Sequence, residues 1–148
     1  MKTIVLCVDL KKECLNTLKT VTKIIDLRDT QVHLLHIYEG QIFNADLTPW
    51  IIPEPEQYPS IEKSILKTLS KLRHELDLNP DNVKEKCIFS FSREQEIKNY
   101  LLQNDASLVV LATRGKHGIE GLFLSSLADF LCKYSPCDVL VLRPQKIT

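Results

Sequence analysis

The sequence has 148 residues and a mass of 17.0 kDa, the size of one ordinary domain, so we expect a single domain over residues 1–148. Its 44% hydrophobic and 26% charged residues are values typical of globular proteins and exclude a disordered or fibrous chain. Nineteen basic residues balance nineteen acidic ones, which argues against nucleic acid or an anionic membrane as a partner of the whole domain.

Cysteine usage and hydropathy predict where the protein works. Five cysteines without a CxxC spacing are typical of free thiols in a reducing compartment. No apolar run is long enough for a membrane span, and the first residues lack the pattern of a signal peptide. We therefore expect a cytoplasmic protein that does not enter the membrane.

Strand and helix patterns alternate along the chain. Near-continuous or alternating apolar runs predict five strands, and apolar residues at spacings of three and four predict four helices between them. The strands are expected at Thr3–Asp9, Gln31–Tyr38, Lys84–Phe91, Leu108–Ala112 and Asp138–Arg143; the helices are expected at Lys12–Ile25, at Ile61–Leu76 and from Ser92 and Ser126 onwards. Ser92 and Gln95 have the spacing of a capping box. Right-handed crossovers fold this order into an α/β domain with one open parallel sheet and helices on both faces.

Residues Glu39 to Pro59 interrupt the alternation. Four prolines in this stretch are expected to exclude a regular element, so we predict an irregular excursion. Trp50, Ile51 and Ile52 form an apolar cluster within it, which is a candidate surface for a protein partner.

Most of the glycine residues lie in one predicted loop. The chain has only four glycines, and Gly115, Gly118 and Gly121 follow the fourth predicted strand, where parallel sheets bind ligands. With Arg114 in the loop and a helix N-terminus at Ser126, the segment has the features of a phosphate site. The alternative is a connecting loop whose glycines only turn the chain. No Ser/His/Asp set, carboxylate pair or metal-ligand set has a diagnostic spacing, so we predict no catalytic residue and no metal site.

Four motifs in order give the whole chain a resemblance to the universal stress protein family. They are IVLCVD, HLLHIYE, LVVLATRGKHG and SSLADFLCKYSPCDVLVLRP. The resemblance implies a five-stranded sheet of strand order 3-2-1-4-5, similar to the adenine-nucleotide alpha-hydrolase fold. It also implies a stress-response protein that binds ATP, with Mg²⁺, or AMP as a regulatory ligand.

Members of that family that bind ATP carry the motif G-x2-G-x9-G-[ST]. On this sequence the motif positions fall on Ala112, Gly115, Ser125 and Ser126, so two of the three glycines are replaced. The Ala112 methyl group would either crowd a ribose or phosphate or be accommodated, and Ser125 would either donate a hydrogen bond or only cap the helix. The resemblance further implies a nucleotide site that includes these residues together with Val8, Asp9, Ile37, Leu111, Arg114 and Leu127.

Each of these assignments has an alternative. Asp9 would contact the ribose or adenine, or it would cap the first helix. Val8, Ile37 and Leu111 would line the adenine pocket, or they would serve only as core residues. Arg114 would bind a phosphate or remain solvated.

Two functions follow for this fold. The first is a homodimer, paired through the exposed last strand Asp138 to Arg143, that binds an adenine nucleotide. The second is a nucleotide-free adaptor that acts through contacts with other proteins, which the sequence does not name. An enzyme is the less favoured class, at most one with slow ATP hydrolysis, because the sequence offers no base to position the attacking water.

Overall fold

The computed structural model describes residues 1–45, 48–113 and 126–144. Its first half contains strand β1 (Thr3–Cys7), helix α1 (Lys12–Leu18), strand β2 (Gln31–Glu39), strands β3 (Gln41–Ala45) and β4 (Thr48–Ile52), and helix α2 (Tyr58–Glu75). Its second half contains strand β5 (Val83–Ser90), helix α3 (Arg93–Gln103), strand β6 (Leu108–Ala112), helix α4 (Ser126–Tyr134) and strand β7 (Asp138–Leu142).

Five of these strands form one parallel sheet in the order β5-β2-β1-β6-β7. When the strands of the sheet alone are numbered along the chain, this is the order 3-2-1-4-5, so the predicted α/β fold is confirmed. β1 occupies the centre, and Val5 and Leu6 in it have no exposed surface. A strand covered on both faces must be apolar on both, which explains the uninterrupted run of apolar residues.

Helices cover the sheet on two faces and make two cores. Side chains of α2, represented by Leu69, pack with Leu6 and Leu34 on one face. Side chains of α3 and α4, represented by Leu101 and Leu131, pack on the other. Alternate residues of each strand therefore belong to different cores, as the pleat requires.

The prediction of an irregular excursion over Glu39 to Pro59 is wrong. β3 and β4 pair as an antiparallel hairpin with Phe43 opposite Trp50 and Asn44 opposite Pro49. Pro49 is tolerated because a hairpin of two strands leaves each strand an outer edge that needs no donor. Pro59 lies in the first turn of α2, where a missing N–H costs nothing.

Two helix ends also differ from expectation. α1 ends at Leu18, and a 3-10 helix continues over Lys19–Lys23, where the Thr20 hydroxyl donates to the Thr17 carbonyl at 2.7 Å and β-branched residues disfavour an α-helix. The Ser92 side chain makes no capping bond. The Arg93 backbone N–H instead donates to the Glu39 carboxylate at 2.9 Å, so the cap of α3 comes from the end of β2.

Candidate functional site

The carboxyl ends of β1 and β6 lie side by side at the centre of the sheet. Cys7 pairs with Leu111 there. From this point the two connections diverge, because β1 leads to α1 on one face and β6 leads to α4 on the other. Such a divergence opens a crevice above the strand ends, which is where doubly wound sheets bind ligands. This edge is therefore the candidate site.

Asp9 stands at the β1 side of the crevice. It is half-buried, and its carboxylate accepts a hydrogen bond from the Lys11 backbone N–H at 3.1 Å. Since α1 begins at Lys12 and its N-cap residue is Lys11, this bond holds the turn that leads into the helix. Asp9 therefore lies between the end of β1 and the start of α1.

The apolar residues that the sequence predicts to line the site lie on both faces of the sheet. Ile37 and Leu111 are buried in the core beneath α3 and α4, whereas Val8 is buried in the core on the other face. Leu127 in α4 is buried in the same core as Ile37 and Leu111. The structure therefore places Ile37, Leu111 and Leu127 in one core and Val8 in the other.

The β6 side of the crevice is formed by Ala112 and the start of α4. Ala112 is partly exposed, and Ser126 is exposed at the first residue of the helix. Thr113 continues the pairing with β7, because its backbone N–H donates to the Leu142 carbonyl at 2.8 Å. Arg114, Gly115 and Ser125 lie outside the described residues.

Sequence reasoning missed two residues at this edge, His36 and Arg93. His36 Nδ1 donates to the Val8 carbonyl at 2.7 Å and so fixes the end of β1 against β2. Burial lowers the pKa of His36, with the hydrogen bond to Val8 and the Asp9 charge opposing the shift and the Arg93 charge adding to it. Only the strand order could have revealed this grouping, since these residues are far apart in sequence.

Arg93 brings a positive charge to the same edge. One terminal guanidinium nitrogen of Arg93 lies 3.6 Å from the Glu94 carboxylate. The Nε atom of Arg93 is buried and has no hydrogen-bond partner in the part of the chain that the structure describes. Burial raises the pKa of the Cys7 thiol to about 12, and the Arg93 charge opposes that shift. Cys7 therefore stays protonated and serves as a core residue.

Neither a metal centre nor a membrane span is found in residues 1–45, 48–113 and 126–144. No group of three or more His, Cys, Asp or Glu side chains in these ranges could hold a metal ion. No helix within them is long and apolar enough to cross a membrane.

Comparison with known proteins identifies the family. The model of the Universal stress protein family matches residues 1–143. The chain belongs to the universal stress protein family. A protein of Staphylococcus saprophyticus that is named as a universal stress protein is 29% identical over 66 residues, which is 45% of this chain and 40% of that protein. The match thus spans about two fifths of the length of this curated relative.

Solved structures of the family share the fold. A universal stress protein in complex with cAMP superposes with a TM-score of 0.66 at 16% identity, over 97% of this chain and 98% of that one. The universal stress protein of Archaeoglobus fulgidus in complex with dAMP superposes with a TM-score of 0.62 at 17% identity, over 96% and 98%. At these identities the likeness shows the fold alone.

Proposed function

We propose that this universal stress protein binds an adenine nucleotide at the carboxyl edge of β1 and β6 as a regulatory ligand. The observation that carries the proposal is the reversal of strand order between β1 and β6, because Asp9 follows β1 there and the chain that leaves β6 leads to α4 on the opposite face. Two family members of the same fold were solved with cAMP and dAMP, and these ligands share the adenine ring and a phosphate.

The chemistry of the edge fits such a ligand. The α4 N-terminus at Ser126 offers N–H groups and a positive dipole end to a phosphate. The Asp9 carboxylate offers an acceptor to ribose hydroxyl groups. For ATP, Mg²⁺ would offset the charge of the phosphates. The partly exposed Ala112 adds a methyl group where the family motif has glycine, so we expect a weaker site than the full motif would make.

The other parts of the proposal are a cytoplasmic location and a dimer paired through β7. All five cysteines are free, as in a reducing compartment. β7 lies at the end of the sheet order. A groove of about 350 Å³ lies beside it, and its lining combines apolar side chains of β7 and Ile24 with Thr20, Lys23 and Arg143. An open parallel edge next to such a groove suits pairing with the same edge of a second copy.

Calorimetric titration with ATP and Mg²⁺, and separately with AMP, tests the nucleotide site. We expect saturable binding that Asp9→Ala weakens at least tenfold. Asp81→Ala is the matched control, because Asp81 precedes β5 at the opposite edge of the sheet, and it should leave the affinity unchanged. No heat at millimolar nucleotide would contradict the proposal.

A nucleotide-free adaptor is the second candidate function. It is favoured by the side chain of Ala112 at a glycine position and by the hairpin, in which Trp50 is 63% exposed. An adaptor would show no heat with either nucleotide, yet would retain its protein partners in nucleotide-free buffer and lose them on Trp50→Ala.

A further inference from the structure

The β3–β4 hairpin presents apolar side chains to solvent on both of its faces. Residues directly opposite in an antiparallel pair share a face, so Phe43 and Trp50 lie on one face and Ile42 and Ile51 on the other. These four side chains and that of Ile52 are all exposed, Phe43 by 48%. A hairpin of two strands is marginally stable in water and gains stability when further strands join it, so a hairpin that buries so little is expected to pair with another strand.

The arrangement and charge of the hairpin's side chains suit a second copy of the same chain. Phe43, Trp50 and Ile52 share one face, and Ile42 and Ile51 share the other. A sheet made of two such hairpins would continue both apolar faces across its junction, where cross-strand side-chain pairs add stability. No strand residue of the hairpin is charged, so two identical patches can meet without opposing like charges.

Pro49 indicates which edge of the hairpin is free to pair. A proline cannot donate to its neighbour, so it fits a position opposite Asn44 where the two residues exchange no hydrogen bonds. Its nitrogen then faces outwards and blunts the outer edge of β4. Hydrogen-bonded and non-hydrogen-bonded pairs alternate along the hairpin. The backbone N–H and C=O groups of Ile42 and Asn44, which belong to non-hydrogen-bonded pairs, therefore point away from β4 at the outer edge of β3. β3 has neither proline nor charge to protect that edge.

We propose that β3 pairs with β3 of a second copy, antiparallel, about a two-fold axis at Phe43. Ile42 of one copy then exchanges backbone hydrogen bonds with Asn44 of the other, and the reverse pair follows by symmetry. The result is a four-stranded sheet in which the two Phe43 side chains are direct neighbours. Because the hairpin follows β2, which neighbours β5, this contact lies away from the β7 edge. The two contacts together would make an assembly larger than a dimer.

Site-directed cross-linking tests the register. At the two-fold axis the Cα atoms of the two residues 43 form a non-hydrogen-bonded pair about 4.5 Å apart, within the range that a disulfide spans. Residue 42 of one copy lies opposite residue 44 of the other, so the Cα atoms of the two copies of residue 42 are about 8 Å apart, which is beyond the range of a disulfide. In a Cys132→Ser background, which removes the exposed native thiol, Phe43→Cys should form a covalent dimer with oxidised glutathione and Ile42→Cys should not.

Equal cross-linking of the two variants, or of neither, would overturn the proposed pairing. The disulfide test does not depend on nucleotide, so its failure is separate from any failure of the nucleotide site.

A charge at the axis provides the second test. Phe43→Lys places two ammonium groups against each other and should raise the dissociation constant of this contact at least tenfold, seen as a halved mass in light scattering over a concentration series. Leu102→Lys is the matched control, because Leu102 is 57% exposed on α3, and it should keep the wild-type mass. Circular dichroism checks that both variants fold.

Identical masses for Phe43→Lys and wild type would overturn the proposal. So would a wild-type chain that stays monomeric but sediments with phosphatidylcholine vesicles, because the hairpin would then bind a lipid surface.

Discussion

The buried histidine His33 should make folding stability fall as the pH drops from 7 to 5. Its ring is 2% exposed, and Nδ1 lies 3.0 Å from the Tyr100 hydroxyl. Burial lowers the pKa of His33, and the nearby Lys84 charge lowers it further. In the unfolded chain, His33 takes up a proton near its ordinary pKa of 6.5. In the native state, the ring remains neutral to a lower pH.

The direction and size of the effect follow from proton linkage. Stability from the neutral ring is fully present above the unfolded pKa and is lost as the pH falls below it. The upper limit of the loss between pH 7 and pH 5 is about 1.9 kcal/mol, which applies to a folded ring that takes up no proton over this range. Carboxylates with lowered pKa values, such as Glu75 beside Lys19, lose their stabilising effect only in more acidic solution, so this pH window isolates the histidines.

Urea unfolding followed by circular dichroism at several pH values measures the effect. His33→Gln removes the titrating ring, and the fall in its free energy of unfolding from pH 7 to 5 should be clearly shallower than in wild type. His74→Gln removes an exposed histidine of α2 and serves as the control, with the wild-type slope expected. The same slope in His33→Gln and wild type would refute the reasoning.

Two further predictions concern the core. Tyr100→Phe should lower the free energy of unfolding by about 1–3 kcal/mol in a urea melt, because it leaves His33 Nδ1 buried without its partner; a change below 0.5 kcal/mol would mean that the bond contributes little. Ellman's reagent should modify Cys132 in the folded protein, because that thiol is exposed. Cys7, which is buried and has a pKa raised to about 12, should react only after denaturation, and its early modification would contradict the described core.

The fold was predictable from sequence because its strongest signals are local. β1 and β6 are near-continuous apolar runs of five residues, and a short run of this kind is typical of a strand buried on both faces. The hairpin could not be predicted from the rule that proline excludes a strand, because Pro49 blocks pairing on one edge only. The surface position of Trp50, which the sequence did predict, is independent of that error.

The candidate site was predictable only in part. Asp9 could be placed because it is the last residue of a predicted strand. His36 and Arg93 could not, because their approach to this edge depends on strand order and on the cap that Glu39 makes to α3 across 54 positions of sequence. The division of Val8 from Ile37 and Leu111 follows from the pleat and from the way adjacent strands align, which the sequence does not reveal by itself.

A crystal structure of the protein soaked with ATP and Mg²⁺ tests the central claim most directly. The account predicts density for an adenine nucleotide in the crevice between Asp9 and the start of α4 at Ser126. A crevice that stays free of nucleotide at saturating concentration, or nucleotide bound at another edge of the sheet, would contradict it.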